Sequence, residues 1–207
     1  IPSLFLNLPF DISKDFDPVS LVAIGPSVLA VHPSVAASSV TDLIALAKAK
    51  PKQLIYGSGG IGNVTHLEIE LLMVMTGIQM VHVPYKGSAP SVIGLIGGEV
   101  GMIFSSIPAG LPQIRAGRIK AIAVSTLQRS SALPDIPTLN ETGLPGYNAA
   151  SWYGLFAPAG TPKNVLEILS REVVKIMRVA EIRERFASDG FEPAGYAPAE
   201  FRKFLRE

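Results

Sequence analysis

At 207 residues the chain is long enough for one large domain or two small ones around a real core. Its 18 basic and 17 acidic residues leave a formal net charge of +1, with no basic run interleaved with aromatics, so nothing points to nucleic acid. There is no cysteine for disulfide or thiolate chemistry, and glycine or proline interrupts every apolar run before it reaches membrane-spanning length.

Asp11 to Pro18 is polar, and the first residues carry no signal-peptide pattern. Val19 to Val31 reads as two strand-like runs, Leu21–Ile24 and Val28–Val31, split by Gly25-Pro26-Ser27. A proline there suits an edge strand or a crossover between lobes. Ser39 to Asp42 has the shape of a capping box, with aspartate replacing the stronger Glu or Gln. The helix that follows should run through Leu43, Ile44 and Ala47 and stop before Pro51.

Leu54-Ile55-Tyr56 is a short apolar run that ends in Gly57-Ser58-Gly59-Gly60-Ile61-Gly62-Asn63. Four glycines in six positions allow positive φ and close approach of a ligand to the backbone. The next helix is expected to bury Leu67, Leu71 and Val74 and to stop at Gly77. Its N-terminus would present unpaired N–H groups and partial positive charge, which is the setting of an anion site.

Met80–Pro84 is a second strand of the alternation, and Tyr85–Pro90 turns into a helix with Val92, Ile93 and Ile96 on its apolar side. Val100–Phe104 is a third strand with Ser105-Ser106 at its end, a short helix passes through Leu111 and Ile114, and Lys120–Ser125 is a fourth strand. This alternation predicts a mainly parallel sheet covered on both faces, with ligands at the carboxyl ends of its strands. Gly57–Asn63, Tyr85–Ser88 and Ser105-Ser106 would share that edge. Residues 126–150, with Pro134, Pro137 and Pro145, read as a long crossover. A strand over Ser151–Ala157 follows. Thr161-Pro162 should cap a helix that buries Val165, Leu169, Val173 and Ile176 or Met177, and helical pieces around 182–187 and 198–205 close the chain.

Gly57-x-Gly59-x-x-Gly62 formally matches the dinucleotide fingerprint. The following strand closes on Pro84-Tyr85-Lys86 rather than on the acid that NAD needs, although Lys86 suits the 2′-phosphate of NADP. The triphosphate-loop lysine is missing after Gly62, and Tyr56 stands where a hydrolase elbow needs glycine. His32, His66 and His82 have no metal-like spacing, so no metal is expected. His82 reads as a core or semi-buried histidine, and Trp152 and Tyr153 as packing or hinge residues. His66 is either bonded locally or helps Ser58 and Thr65 grip a carboxylate at the helix start.

Six segments resemble a recurring family pattern in order along the chain: Asp15–Leu21, Tyr56–Gly59 with Gly62 and His66-Leu67, His82–Gly87, Leu133–Thr138, Gly143–Tyr147, and Trp152–Leu155 with Ala157–Pro162. The chain is similar throughout to the Bug (TctC-type) solute receptors of tripartite tricarboxylate transporters. That resemblance implies an α/β, two-lobe periplasmic-binding-protein fold of type II-like topology, with no catalytic residue, cofactor or metal. It implies periplasmic localisation, a small di- or tricarboxylate or related organic acid as ligand, and a membrane permease as partner. Matched onto this chain, the ligand-binding residues are Ser58, Gly59, Gly62, Asn63, Thr65, His66 and Ser105. Tyr85 and Lys86 have either a structural or a ligand-contact role.

Family chains carry a further segment before the position at which this sequence starts, including a glycine-rich first loop. The expected fold is therefore without the N-terminal part of the first lobe. Residues 1–26 and 127–207 are expected to form the rest of lobe 1 plus crossovers, and 27–126 the ligand-binding lobe 2. The alternative readings are an NADP-dependent oxidoreductase using Gly57, Gly59 and Gly62, and a remnant that only interacts with partners.

Overall fold

A computed structural model describes residues 9–206. Asp11 caps a single helical turn, α1 (Ile12–Asp15), and the chain continues into β1 (Phe16–Val31). Then come α2 (Val40–Ala49), β2 (Ile55–Ser58), α3 (Val64–Thr76), β3 (Val81–Pro84), α4 (Ser88–Ile96), β4 (Met102–Ser106), α5 (Ile107–Arg115) and β5 (Lys120–Val124). The last third holds β6 (Ala150–Pro158), α6 (Lys163–Ile176), α7 (Ala180–Ser188), β7 (Glu192–Tyr196) and α8 (Pro198–Phe204). The chain divides into two compact units, Pro26–Ser151 and the residues up to Gly25 together with those from Trp152 onward.

The expected break in β1 does not occur. Leu21, Ala23 and Ile24 pair with β7, whereas Ser27–Val31 pair with β4 and, from Val28, with β5. Pro26 falls between the two ladders, where no N–H is required, so the strand runs through it.

In the unit Pro26–Ser151 the strand order is β3-β2-β4-β1-β5. β2 is parallel to β3 and β4, as the alternation predicts, and β1 runs antiparallel to both β4 and β5. The sheet is therefore mixed at β1. Leu29, Val31, Leu43, Tyr56, Ile69, Leu72, Met102 and Phe104 form its main core on one face, and Val92, Leu95, Val100 and Ile103 pack on the other. Each fully buried aliphatic side chain contributes about 1.5–3 kcal/mol. Residues 127–151, grouped by sequence with the first lobe, add Leu133, Leu139, Leu144 and Tyr147 to these cores.

Two helices present a different face from the one expected. α3 buries Thr65, Glu68, Ile69 and Leu72, and leaves Leu67 and Val74 exposed. α4 buries Ser91, Val92, Gly94 and Leu95 and exposes Ile93. Both helices are apolar nearly all round, so periodicity did not fix which stripe faces the sheet. α2 follows the expected pattern: Ser39 accepts from Asp42 N–H, and the Asp42 carboxylate accepts from Ser38 N–H.

In the other unit, β7 and β6 pair with the first part of β1. Trp152 packs edge-on against Phe201 and Phe204, and Tyr153 against Phe191. The α6 cap differs from the expected one: Pro162 occupies it with no side-chain bond, and the Thr161 hydroxyl donates back to the Pro158 carbonyl. Of the expected inner face of α6, Met177 is buried and Val173 half-buried, whereas Val165, Leu169 and Ile176 are exposed and Ser170 is buried in their place.

Candidate functional site

β2 ends at Ser58 and α3 starts at Val64, so residues 59–63 must reverse the chain over the carboxyl edge of the sheet. Gly60 (φ +123°) and Gly62 (φ +76°) supply the positive φ values this path needs. Asn63 closes the loop as the α3 cap, its Oδ1 accepting from Thr65 N–H at 3.1 Å and from the Thr65 hydroxyl at 3.1 Å. The Thr65 oxygen accepts from Gly59 N–H at 2.8 Å. On the far side the parallel ladder continues past β3, with Tyr85 N–H donating to Ser58 O and Gly87 N–H to Gly59 O.

Six of the predicted residues, Ser58, Gly59, Gly62, Asn63, Thr65 and His66, thus share one loop. The Ser58 and Thr65 side chains are buried and bonded within it. Ser105 lies at the end of the neighbouring strand β4, buried, with its hydroxyl donating to Ser106 O at 3.0 Å. Tyr85 is tied into the fold: its hydroxyl donates to Glu99 at 2.8 Å, and its ring occupies the space a side chain on Gly94 would need. Lys86 is exposed.

A second layer that sequence reasoning did not assemble braces the loop. Parallel pairing sets Tyr56 opposite His82, and three rings stack in a row, Tyr56 on His82 at 4.7 Å and His82 on His66 at 4.3 Å. Ser58 Oγ accepts from Gly60 N–H at 3.1 Å and lies 2.6 Å from His82 Nε2. His66 Nδ1 accepts from Gly62 N–H at 3.3 Å, and its Nε2 lies 3.5 Å from Glu70 Oε1. The Tyr56 hydroxyl donates to the same Glu70 oxygen at 2.6 Å. Burial, and then Glu70, hold the Tyr56 phenol protonated. Burial and the adjoining His66 lower the His82 pKa, with Glu70 opposing, so its neutral form is favoured.

The electrostatics of the loop come from its backbone. Residues 57–67 contain no lysine, arginine or carboxylate. The loop engages the N–H groups of Gly59, Gly60, Gly62, Asn63 and Thr65 internally. The N–H groups of Ile61 and Val64 have no such partner among the described residues. Both lie at the positive end of the 13-residue helix α3.

One turn further along α3, Glu68 is buried with neither carboxyl oxygen hydrogen-bonded among the described residues. Burial pushes it up to about 8, against the smaller opposing effect of the Ser27 and Ser125 hydroxyls that face it without closing bonds. Ser27 N–H is instead bonded to Ser125 Oγ at 2.9 Å. No group of three metal-ligating side chains and no helix long and apolar enough to cross a membrane occur among the described residues.

The α/β architecture matches that of solved periplasmic binding proteins. The structure of periplasmic binding protein BugD superposes with a TM-score of 0.83 at 28% identity, over 92% of this chain and 64% of that one. A protein of R. palustris solved with adipate superposes with a TM-score of 0.92 at 36% identity, over 98% of this chain and 68% of that one. Within that class, the chain belongs to the tripartite tricarboxylate transporter family of receptors, whose family model matches residues 1–207. Protein BugT of Bordetella pertussis is 34% identical over 205 residues, 99% of this chain and 63% of its own length. The chain spans 57% and 63% of the lengths of two curated relatives it matches. The comparisons give no support to the oxidoreductase alternative.

Proposed function

We propose that the protein is a periplasmic receptor that captures a small carboxylate and presents it to the permease of a tripartite tricarboxylate transporter, without an enzymatic step. One observation carries the reading: the glycine loop is internally braced and, among the described residues, leaves the Ile61 and Val64 N–H groups unengaged at the α3 N-terminus. Two charge-assisted bonds from such donors contribute about 1.5–3 kcal/mol each. A partly buried anion at the helix end gains up to about 2 kcal/mol more. No formal positive charge in the loop is required.

In this reading Gly59, Gly62, Asn63, Thr65 and Ser58 shape the loop, and the backbone does the binding. Ser105 borders the site from β4. The adipate complex of the R. palustris relative supports an unbranched dicarboxylate as the first probe. Calorimetric titration of the protein with adipate, citrate and NADPH tests the proposal. Saturable binding of a carboxylate without an NADPH response is expected. An NADPH response with none to either acid would overturn it.

A further inference from the structure

The two histidines at the loop are hydrogen-bonded in a way that assigns their protonation. His66 Nδ1 accepts from Gly62 N–H, so the ring proton is on Nε2, which faces Glu70. Ser58 Oγ accepts from Gly60 N–H and lies 2.6 Å from His82 Nε2, closer than the 3.4 Å to its other acceptor, Gly60 O; with the serine hydroxyl as the donor in the shorter contact, the His82 proton is on Nδ1. Each neutral imidazole thus lends a lone pair to the glycine loop, one directly at Gly62 and one through Ser58 to Gly60.

We propose that His66 and His82 are positioning residues that set the shape of the anion loop through these acceptor nitrogens, and that protonating the pair releases the loop and weakens ligand binding. An imidazolium at His66 has N–H groups on both nitrogens, so Nδ1 faces Gly62 N–H as a second donor. An imidazolium at His82 reverses the Ser58 bond and turns the serine hydroxyl onto Gly60 O, a longer contact of 3.4 Å. With the rings stacked at 4.3 Å, two positive charges repel, so the pair takes its first proton on one ring. Glu70 Oε1 stands 3.5 Å from Nε2 of His66, the ring that clamps Gly62 directly. The titratable groups facing the pair are Tyr56 from β2 and Glu70 from α3, and Tyr56 stays protonated throughout. The depressed pKa of His82 agrees with a ring that serves as an acceptor.

The sign of the effect separates this role from direct contact. A histidine that touched a carboxylate ligand would bind it more tightly when charged, so affinity would rise in acid. A positioning pair predicts the reverse. The proposal rests on the carboxylate reading only for its affinity arm, because the loop itself can be followed without ligand.

The first measurement is a nitrogen NMR titration of the two rings from about pH 8 to about pH 5, with hydrogen-exchange protection of the Gly60 and Gly62 amides over the same range. The expected result is the Nε2–H tautomer at His66, the Nδ1–H tautomer at His82, and loss of amide protection as the pair takes up its proton. Opposite tautomers, or protection that survives protonation, would overturn the proposal. The second is adipate affinity over the same range for the wild type and for His66→Asn/His82→Gln. Those amide oxygens stand in for Nδ1 and Nε2 without titrating. The acid's own titration is common to both proteins, so the wild type should lose on the order of tenfold more affinity in acid than the variant that cannot titrate. Parallel profiles would contradict the proposal. Absence of adipate binding at every pH would sink the carboxylate reading and leave the tautomer and exchange measurements to decide the clamp.

Discussion

The two units of the chain differ in the size of the core that their described residues close. In Pro26–Ser151, Leu29, Val31, Leu43, Ile69, Leu72, Met102 and Phe104 are all fully buried. The other unit buries Val19, Leu21 and Phe201, yet leaves Trp152, Tyr153, Leu155, Ile168, Leu169 and Ile176 between 39% and 51% exposed. The unit that carries the loop has the packing needed to hold a backbone site rigidly. The loop-carrying unit also exposes Ile61, Val74 and Ile93, whereas the exposed side chains of the other lie in a unit centred on Trp152, Phe156, Phe201 and Phe204, in a chain that spans 57% and 63% of the lengths of two relatives. The proposed site works through backbone N–H groups and so needs fixed geometry, and its loop belongs to the unit with the larger buried core.

The comparison is broken most easily by one pair of truncations. Leu72→Ala, in the α3 face under the sheet, should cost about 2–5 kcal/mol of unfolding free energy. Leu169→Ala, on the exposed face of α6, should cost less than about 1 kcal/mol. Chemical denaturation of both variants reads the difference, and equal losses would show that α6 is as well packed as α3.

A smaller effect sharpens the same contrast, because Glu68 is the flaw in the well-packed unit. Its folded value of about 8 lies above the ordinary 4.5, so the folded protein keeps a proton that the unfolded chain gives up. The stability from that proton is complete below the ordinary carboxylate range and is lost as pH rises through about 8. Glu68→Gln stays neutral at every pH, so it should match the wild type below about pH 4.5 and exceed it by a margin that grows until about pH 8 and is constant above it. Thermal melts across pH would show the gap opening between those two values, and a gap that does not change with pH would mean that Glu68 ionises as easily folded as unfolded.

Much of this was legible in the sequence, and the failures have physical causes. Glycine conformational freedom, a short apolar run and a helical segment placed Gly57–Asn63 between strand and helix, and the structure agrees. The helix phase was wrong at α3 because Leu67, Ile69, Leu71, Leu72 and Val74 offer several apolar stripes, and the true one includes the carboxyl of Glu68. Sequence alone therefore could not show Glu68 as buried. β7 was not foreseen, since Pro193 and Gly195 in five residues disfavour a strand that pairing with β1 nevertheless secures. The role of His82 depends on the parallel register that sets it opposite Tyr56 and two residues before the partner of Ser58. Its alternating apolar strand correctly suggested a half-buried histidine, but the bond to Ser58 is a property of the sheet.

The central claim is that the α3 N-terminus holds a carboxylate through Ile61 and Val64. The most direct measurement is amide NMR of the protein titrated with adipate. The account predicts that the Ile61 and Val64 amides shift most, moving to lower field as each N–H gains a charged acceptor. A saturable response centred elsewhere, with these two amides unmoved, would contradict it.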